Sequence, residues 1–331
     1  MVPGSSPGGP TNNMKKELTI VSKVKCAVIG SNGFLGTEIV KYLLSKGDEV
    51  VCFDRTLDND EVKGVERRHL DITDREACFR ELQGFEEVYN IAGVLGTSEL
   101  NDTVHLAIKV NVLGAINVFD ACVKNKVPRV FYPAKPNEWL NTYTVTKEAS
   151  EKFTEIYNEK CEDTKFIRVR WYNAYGPAQH THPVRKIGPT FCLLARHGLP
   201  QNIFGSGDNK MDLIYSGDIA KWSVEATRHN LYKKVYQLGR GVPVTVNDFA
   251  EDLNRLVGND AGVKHVGMRD GEIDGVGFVA DIEDLRTDLE EVGLKLEFAD
   301  WEETLLETYE YYKNIPEEES LEILRFHKLI D

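Results

Sequence analysis

The sequence predicts an α/β fold, with a doubly wound parallel sheet followed by a smaller C-terminal domain. Three observations predict it. Short apolar runs alternate with amphipathic stretches from about residue 23. A Gly-x-x-Gly-x-x-Gly turn, Gly30-Ser-Asn-Gly33-Phe-Leu-Gly36, sits between the first apolar run and the first amphipathic stretch. The alternation then breaks after Gly176-Pro177.

The opening MVPGSSPGGPTNN is rich in Gly, Pro, Ser and Asn, a composition that cannot bury apolar surface. Residues 1–22 are therefore read as a disordered tail or a remnant of cloning. Strands are expected at 25–30 (KCAVIG), 49–54 (EVVCFD), 65–70 (VERRHL), 87–92 (EVYNIA), 129–134 (RVFYPA) and 165–170 (KFIRVR). Helices are expected near 34–46, 74–82, 100–126 and 143–161. Near-continuous apolar strands separated by helices mark a parallel sheet covered on both faces. Residues 23–177 are assigned to this sheet. Residues 178–331 mainly form a second domain, with segments such as KVYQLG (234–239) returning to the main sheet.

The glycine turn has a chemical reading. Gly30 permits a tight turn, Gly33 lets the backbone approach a pyrophosphate, and Gly36 lets helix and strand pack closely. The helix start then offers N–H groups and a positive dipole to phosphate. A Rossmann-type dinucleotide site follows. Asp54 ends the next strand, where an acid binds adenosine ribose hydroxyls and disfavours a 2′-phosphate. That points to NAD, although Arg55 beside it is the residue type that accepts such a phosphate.

The 331-residue chain carries a net charge of −13, which repels phosphate backbones and argues against nucleic acid. Its six cysteines are scattered without a C-x-x-C pair, against a metal cluster or a disulfide framework. No metal is expected. No run reads as long and apolar enough to span a membrane, and no signal-peptide pattern is present. A cytoplasmic protein without membrane association is the expectation.

Tyr143-Thr-Val-Thr-Lys147 sets a phenol and an ammonium one helical turn apart, and a neighbouring cation stabilises phenolate. Such a tyrosine acts as an acid or base. Tyr42…Lys46 and Tyr309…Lys313 share the spacing, but only Tyr143 follows a strand at the edge where ligands bind.

Together these residues resemble the extended short-chain dehydrogenase/reductase family, especially its NAD-dependent nucleotide-sugar epimerases and dehydratases, over about residues 24–315. The resemblance implies several roles. Gly30, Asn32, Gly33, Phe34, Leu35 and Gly36 would hold the cofactor phosphates, with Asp54 and Arg55 at the ribose. Asp71 and Ile72 would contact adenine. Ile91, Ala92, Gly93, Asn111 and Trp171 would complete the cofactor side. Tyr143 and Lys147 fall on the catalytic pair, with Lys147 holding the nicotinamide ribose and lowering the Tyr143 pKa. Ala134, Lys135, Asn173, Lys210 and Arg269 would face a nucleotide-sugar. The implied activity is epimerisation through a transient keto-sugar, and the implied assembly is a homodimer.

Two departures from that pattern stand out. The family has Ser or Thr just after the fifth strand; here Tyr132-Pro-Ala134-Lys135-Pro136 offers no hydroxyl at Ala134 or Lys135, and the stretch to Tyr143 is short. Thr142, Thr144, Tyr132 and Lys135 are the candidates to replace it, with Lys135 as a plain solvated residue the bland alternative. The Asp-Glu pair of a dehydratase is also missing. Second, the Arg expected before Asp212 is Met211, with Lys210 as its candidate replacement. The alternatives to epimerisation are net oxidoreduction, dehydration or decarboxylation of a nucleotide-sugar, and a non-catalytic binding protein.

Overall fold

The computed structural model describes residues 23–58, 61–96, 99–136, 140–268 and 277–331. The N-terminal 22 residues and Arg269 thus lie outside the described residues.

A parallel seven-stranded sheet forms the centre. Its strands are β1 (Lys25–Ile29), β2 (Glu49–Asp54), β3 (Glu66–His69), β4 (Glu87–Asn90), β5 (Arg129–Ala134), β6 (Lys165–Trp171) and β11 (Val235–Leu238). They lie in the order β3-β2-β1-β4-β5-β6-β11. The expected strands match these within two residues, and the KVYQLG segment does return to the sheet, pairing with β6. Strand order reverses between β1 and β4, which opens a crevice at the carboxyl ends of the strands.

Helices cover both faces. α1 (Phe34–Ser45), α7 (Ser216–Arg228) and α9 (Glu283–Glu291) close one side through Ile39, Val40, Leu43, Trp222 and Leu285. α2 (Arg75–Glu81) and α4 (Ala115–Lys124) close the other through Cys78, Val118 and Phe119. That double cover is why β1, β2 and β5 are almost wholly buried.

The helix preceding α4 is not uniform. A 3₁₀ turn (Asn101–Thr103) leads into α3 (Val104–Ala107), then a seven-residue π-helical stretch, Ile108–Gly114. α5 (Thr142–Lys160) packs alongside, its N-terminus capped by Asn141, whose side chain accepts from Thr144 N–H at 2.9 Å. An aromatic cluster fixes α5 to the sheet. Phe119 of α4 meets Tyr132 of β5, Tyr157 of α5 and Phe166 of β6 edge-on, at 5.4, 5.8 and 5.1 Å between centroids.

One expectation needs correction. Residues 101–124 are long and apolar enough, by length and mean hydropathy (1.6), to match a membrane span. Ala107, Val118, Phe119, Ala121 and Cys122 are buried in the protein, while Leu106, Ile108 and Leu113 of the same stretch are exposed. The apolarity was diluted in the sequence by Asn111, Asn117 and Asp120, which the fold uses for internal hydrogen bonds.

The remaining elements gather around a third core cluster. They include β7 (Asn173–Tyr175), α6 (Ile187–Arg196), β8 (Gln201–Phe204), β9 (Lys210–Met211), β10 (Leu213–Tyr215), β12 (Val244–Thr245), α8 (Val246–Val257), β13 (Val263–Val266), α10 (Trp301–Asn314) and α11 (Glu317–Phe326). Phe191, Ile203, Leu213, Phe249, Leu305, Tyr312 and Leu324 pack there. Asp212 ties this half to the sheet. Its buried carboxylate accepts from the N–H groups of Arg240 (2.7 Å), Gly241 (3.0 Å) and Ala280 (3.0 Å).

Candidate active site

The glycine turn sits at the crevice and is shaped by contacts that only glycine allows. Gly30 adopts φ +84°, and a Cβ there would stand 2.7 Å from the Ala92 nitrogen. A Cβ on Gly36 would stand 2.1 Å from the Gly30 carbonyl oxygen. Gly33 caps α1 and brings no side chain to its first turn, so the N–H groups of Phe34, Leu35 and Gly36 point outward with the helix dipole behind them. That cradle fits the pyrophosphate of a dinucleotide.

The end of β2 is tied to the turn by hydrogen bonds. Asp54 accepts from Asn32 N–H at 3.0 Å and from Arg55 N–H at 2.7 Å. Asn32 in turn donates to the Thr56 carbonyl oxygen at 2.6 Å and accepts from Arg67 at 3.0 Å. Burial raises the Asp71 pKa, but the Thr73 N–H and the charges of Arg55 and Lys109 outweigh it and hold the carboxyl below its ordinary range.

Across the crevice, Ile91 donates to the Ile29 carbonyl at 2.8 Å, placing Ile91, Ala92 and Gly93 beside the turn. Asn111 holds the next residue from both sides: it accepts from Val94 N–H at 2.8 Å and donates to the Val94 oxygen at 2.9 Å. It also donates to Thr146 Oγ1 at 3.2 Å, so the π-helical stretch links the β4 loop to α5. Ile72 packs against Gly114, whose added Cβ would meet it at 2.8 Å. Trp171 stacks on Phe131 at 5.5 Å, and its Nε1 donates to Ser223 at 2.9 Å.

Tyr143 and Lys147 stand on the first turns of α5, at the carboxyl end of β5. Tyr143 is half-buried, and desolvation pushes its phenol up to about 12. Lys147 is 7% exposed, and burial pushes its ammonium down to about 7 against the opposing pull of Glu151. Its Nζ lies 4.0 Å from the Tyr132 ring centroid. The expectation that Lys147 lowers the Tyr143 pKa is thus not visible in this arrangement: burial dominates both groups, and the ammonium rests over a different ring.

The two other Tyr…Lys pairs are structural. Tyr42 donates to Glu225 of α7 at 2.7 Å, and Lys46 pairs with the same carboxylate at 3.4 Å. Lys313 pairs with Glu310 on the surface of α10.

Sequence reasoning missed the support beneath Lys147. Glu151, one turn further along α5, is 1% exposed and held bidentately by Arg170 of β6, with Nε–Oε2 at 3.0 Å and Nη2–Oε1 at 2.6 Å. The i, i+4 spacing of Lys147 and Glu151 was the available signal. Because Arg170 already satisfies Glu151, Lys147→Met should leave no orphaned carboxylate. We expect that variant to melt at least as high as the parent. A lysine whose folded pKa lies below its unfolded one costs stability most below pH 7, and that cost fades as pH rises toward 10. The gain should therefore be largest in thermal scans below pH 7 and shrink above it; a melting point several degrees lower would contradict this.

On the opposite side, Ala134 is buried and Lys135 follows it, donating to the Pro136 oxygen at 3.2 Å. Asn173 pairs through β7 with β10 beside Asp212, and its side chain is exposed. Lys210 lies on β9, its backbone covered by Gly277. Met211 packs into the third core cluster rather than toward solvent. Two cation–ring stacks were not anticipated: Arg185 on Phe204 at 4.8 Å and Arg240 on Trp301 at 4.9 Å. His180 lines a cavity of about 290 Å³ beside Asn32, Phe34 and Tyr311. His182 packs on Phe326, and no metal-binding group occurs among the described residues.

A glycine cradle, an acid at the end of β2 and a Tyr–Lys pair around one crevice agree with what the chain matches. The model of the NAD dependent epimerase/dehydratase family covers residues 26–239. The chain belongs to this family. Within the family, it is 20% identical over 325 residues to a UDP-N-acetyl-alpha-D-glucosaminuronate decarboxylase of Bacillus cytotoxicus, covering 88% of this chain and 99% of that one. The fold matches a UDP-N-acetylglucosamine 4-epimerase from Methanobrevibacter ruminantium, crystallised with UDP-N-acetylmuramic acid (TM-score 0.79, 22% identity, 88% and 98% covered). It also matches a UDP-glucose 4-epimerase from Thermus thermophilus in complex with NAD (TM-score 0.75, 22% identity, 88% and 100% covered). Family members of this kind are NAD-dependent enzymes that include epimerases, dehydratases and decarboxylases.

Proposed function

We propose that this family member is a nucleotide-sugar epimerase that works through a transient keto-sugar. The observation that carries the reading is Tyr143, set on α5 at the carboxyl end of β5 and across the crevice from the glycine cradle. When bound, NAD would supply the hydride acceptor for the carbinol carbon and the hydride donor for the ketone. Tyr143 receives the hydroxyl proton as the carbonyl forms and returns it when the sugar is reduced on its other face. Lys147 holds the nicotinamide ribose. Glu151 and Arg170 keep Lys147 in place. Asn111 holds the strand-end loop that borders the ring. The elements around β7 to β13 form the substrate half, with Asn173 and Lys210 toward the nucleotide diphosphate.

Epimerisation is favoured over dehydration because no Asp-Glu pair follows β5. Denaturing the purified protein and identifying what it releases is the simplest check. NAD together with a nucleotide-sugar is expected; NADP alone, or no nucleotide, would contradict the reading.

We also infer a homodimer. Leu106, Ile108 and Leu113 of the 101–124 helix and Val145, Phe153 and Ile156 of α5 are apolar and exposed. Light scattering should return twice the chain mass of 37.4 kDa; a single-chain mass would refute the pairing.

A further inference from the structure

Removing a hydride from a carbinol leaves charge on its oxygen, so the site needs a donor to that oxygen besides the Tyr143 phenol. The end of β5 brings no hydroxyl. Each side chain within reach can be weighed by where it points. Thr142 Oγ1 already donates to Asn101 at 2.9 Å, away from the crevice. Thr144 is buried at 5% exposure. Thr146 Oγ1 donates back to the Thr142 carbonyl at 2.9 Å. Tyr132 is 1% exposed, beneath the Lys147 ammonium. Each of these hydroxyls is thus either engaged elsewhere or buried.

Lys135 approaches the Tyr143 ring itself. It is the first residue after β5, half-buried, with Nζ 5.9 Å from the Tyr143 ring centroid and one of its three N–H groups donated to the Pro136 carbonyl oxygen at 3.2 Å. Lys147, by contrast, has its ammonium over Tyr132. We propose that Lys135 is a second catalytic lysine, which donates an N–H to the reacting sugar oxygen and supplies the positive charge that stabilises the Tyr143 phenolate. The assignment rests on the reading of Tyr143 as the acid–base group.

The step balances without further reagents. The substrate O–H bond breaks and its proton passes to the Tyr143 phenolate. The C–H electron pair leaves as hydride to NAD and the C=O bond forms. Lys135 keeps its proton throughout. The reverse step restores all three. An ammonium thus takes the place of the missing hydroxyl and offsets the Tyr143 charge, while Lys147 lies over Tyr132. Among the described residues, the titratable groups that bear on this pair include Tyr132 of β5, which feels both Tyr143 and Glu151, and Lys147, whose ammonium lies over Tyr132.

The test needs no substrate in its first arm. In full-length protein labelled with ¹³C-tyrosine, the Tyr143 ring resonance is assigned with Tyr143→Phe and titrated over the pH range in which the fold persists. The midpoint should rise by about one unit or more in Lys135→Met and return in Lys135→Arg. In the second arm, on whichever nucleotide-sugar the parent turns over, Lys135→Met should lower kcat by about a hundredfold or more with KM changed only a few-fold. A Tyr143 titration that ignores Lys135→Met, or an unchanged kcat, overturns the proposal. Absence of turnover by the parent would instead count against the epimerase reading, leaving the titration to decide the role of Lys135.

Discussion

Tyr143→Phe should reduce turnover by roughly 10³-fold while leaving the fold intact. The substitution removes one oxygen and keeps the ring, so the half-buried packing at the start of α5 persists. Burial raises the phenol toward 12, so a phenolate forms only where a cation offsets desolvation. Steady-state assays beside thermal melts separate the two effects. Retained activity would remove Tyr143 from the mechanism, and a collapsed melting point would recast it as a structural residue.

Glu87→Ala should destabilise the fold by about 3–5 kcal/mol, the cost of breaking a buried ion pair from one side. Glu87 lies on β4 at the end of the sheet opposite the crevice and is fully buried. It accepts from Tyr89 Oη at 2.7 Å and from Arg129 Nε at 3.1 Å, and Arg228 Nε approaches it at 3.7 Å. Arg228 also pairs with Asp48. One carboxylate therefore joins β4, β5 and α7. Removing it strands the buried Tyr89 phenol, takes the carboxylate from Arg129 and leaves Arg228 with Asp48 alone, while Glu87→Gln retains part of the hydrogen bonding and should cost clearly less. Urea unfolding measures both; a loss below about 1 kcal/mol for Glu87→Ala would show that water replaces the carboxylate.

The sheet was legible because burial on both faces leaves a strong local signature. KCAVI, EVVCFD and RVFYPA read as strands without any knowledge of their neighbours. The glycine turn was legible for a similar reason, since Gly30 and Gly36 answer contacts with backbone only a few residues away or on an adjacent strand. The C-terminal half was not. Its two- to four-residue strands β7 to β10, β12 and β13 depend on long-range pairing and carry little periodicity.

Within the site, residue identity was readable and electrostatic role was not. Tyr143 and Lys147 could be placed by their spacing and by the strand before them. That burial would depress Lys147 toward 7, and that its ammonium would rest on Tyr132, required the packing of α5 on β5. The same holds for Glu151 and Arg170, nineteen positions apart in the chain and bonded in the fold. Glu87 gave no sequence signal beyond one acid at the start of an apolar strand.

The most direct measurement is to incubate the purified protein with UDP-, GDP-, dTDP- and CDP-sugars and follow stereochemistry by NMR while recording the absorbance of NADH. The account predicts inversion at one carbinol carbon of one of these sugars, with no net accumulation of NADH and with activity lost in Tyr143→Phe. Stoichiometric NADH build-up, loss of water or of carbon dioxide from the sugar, or no conversion of any nucleotide-sugar would contradict it.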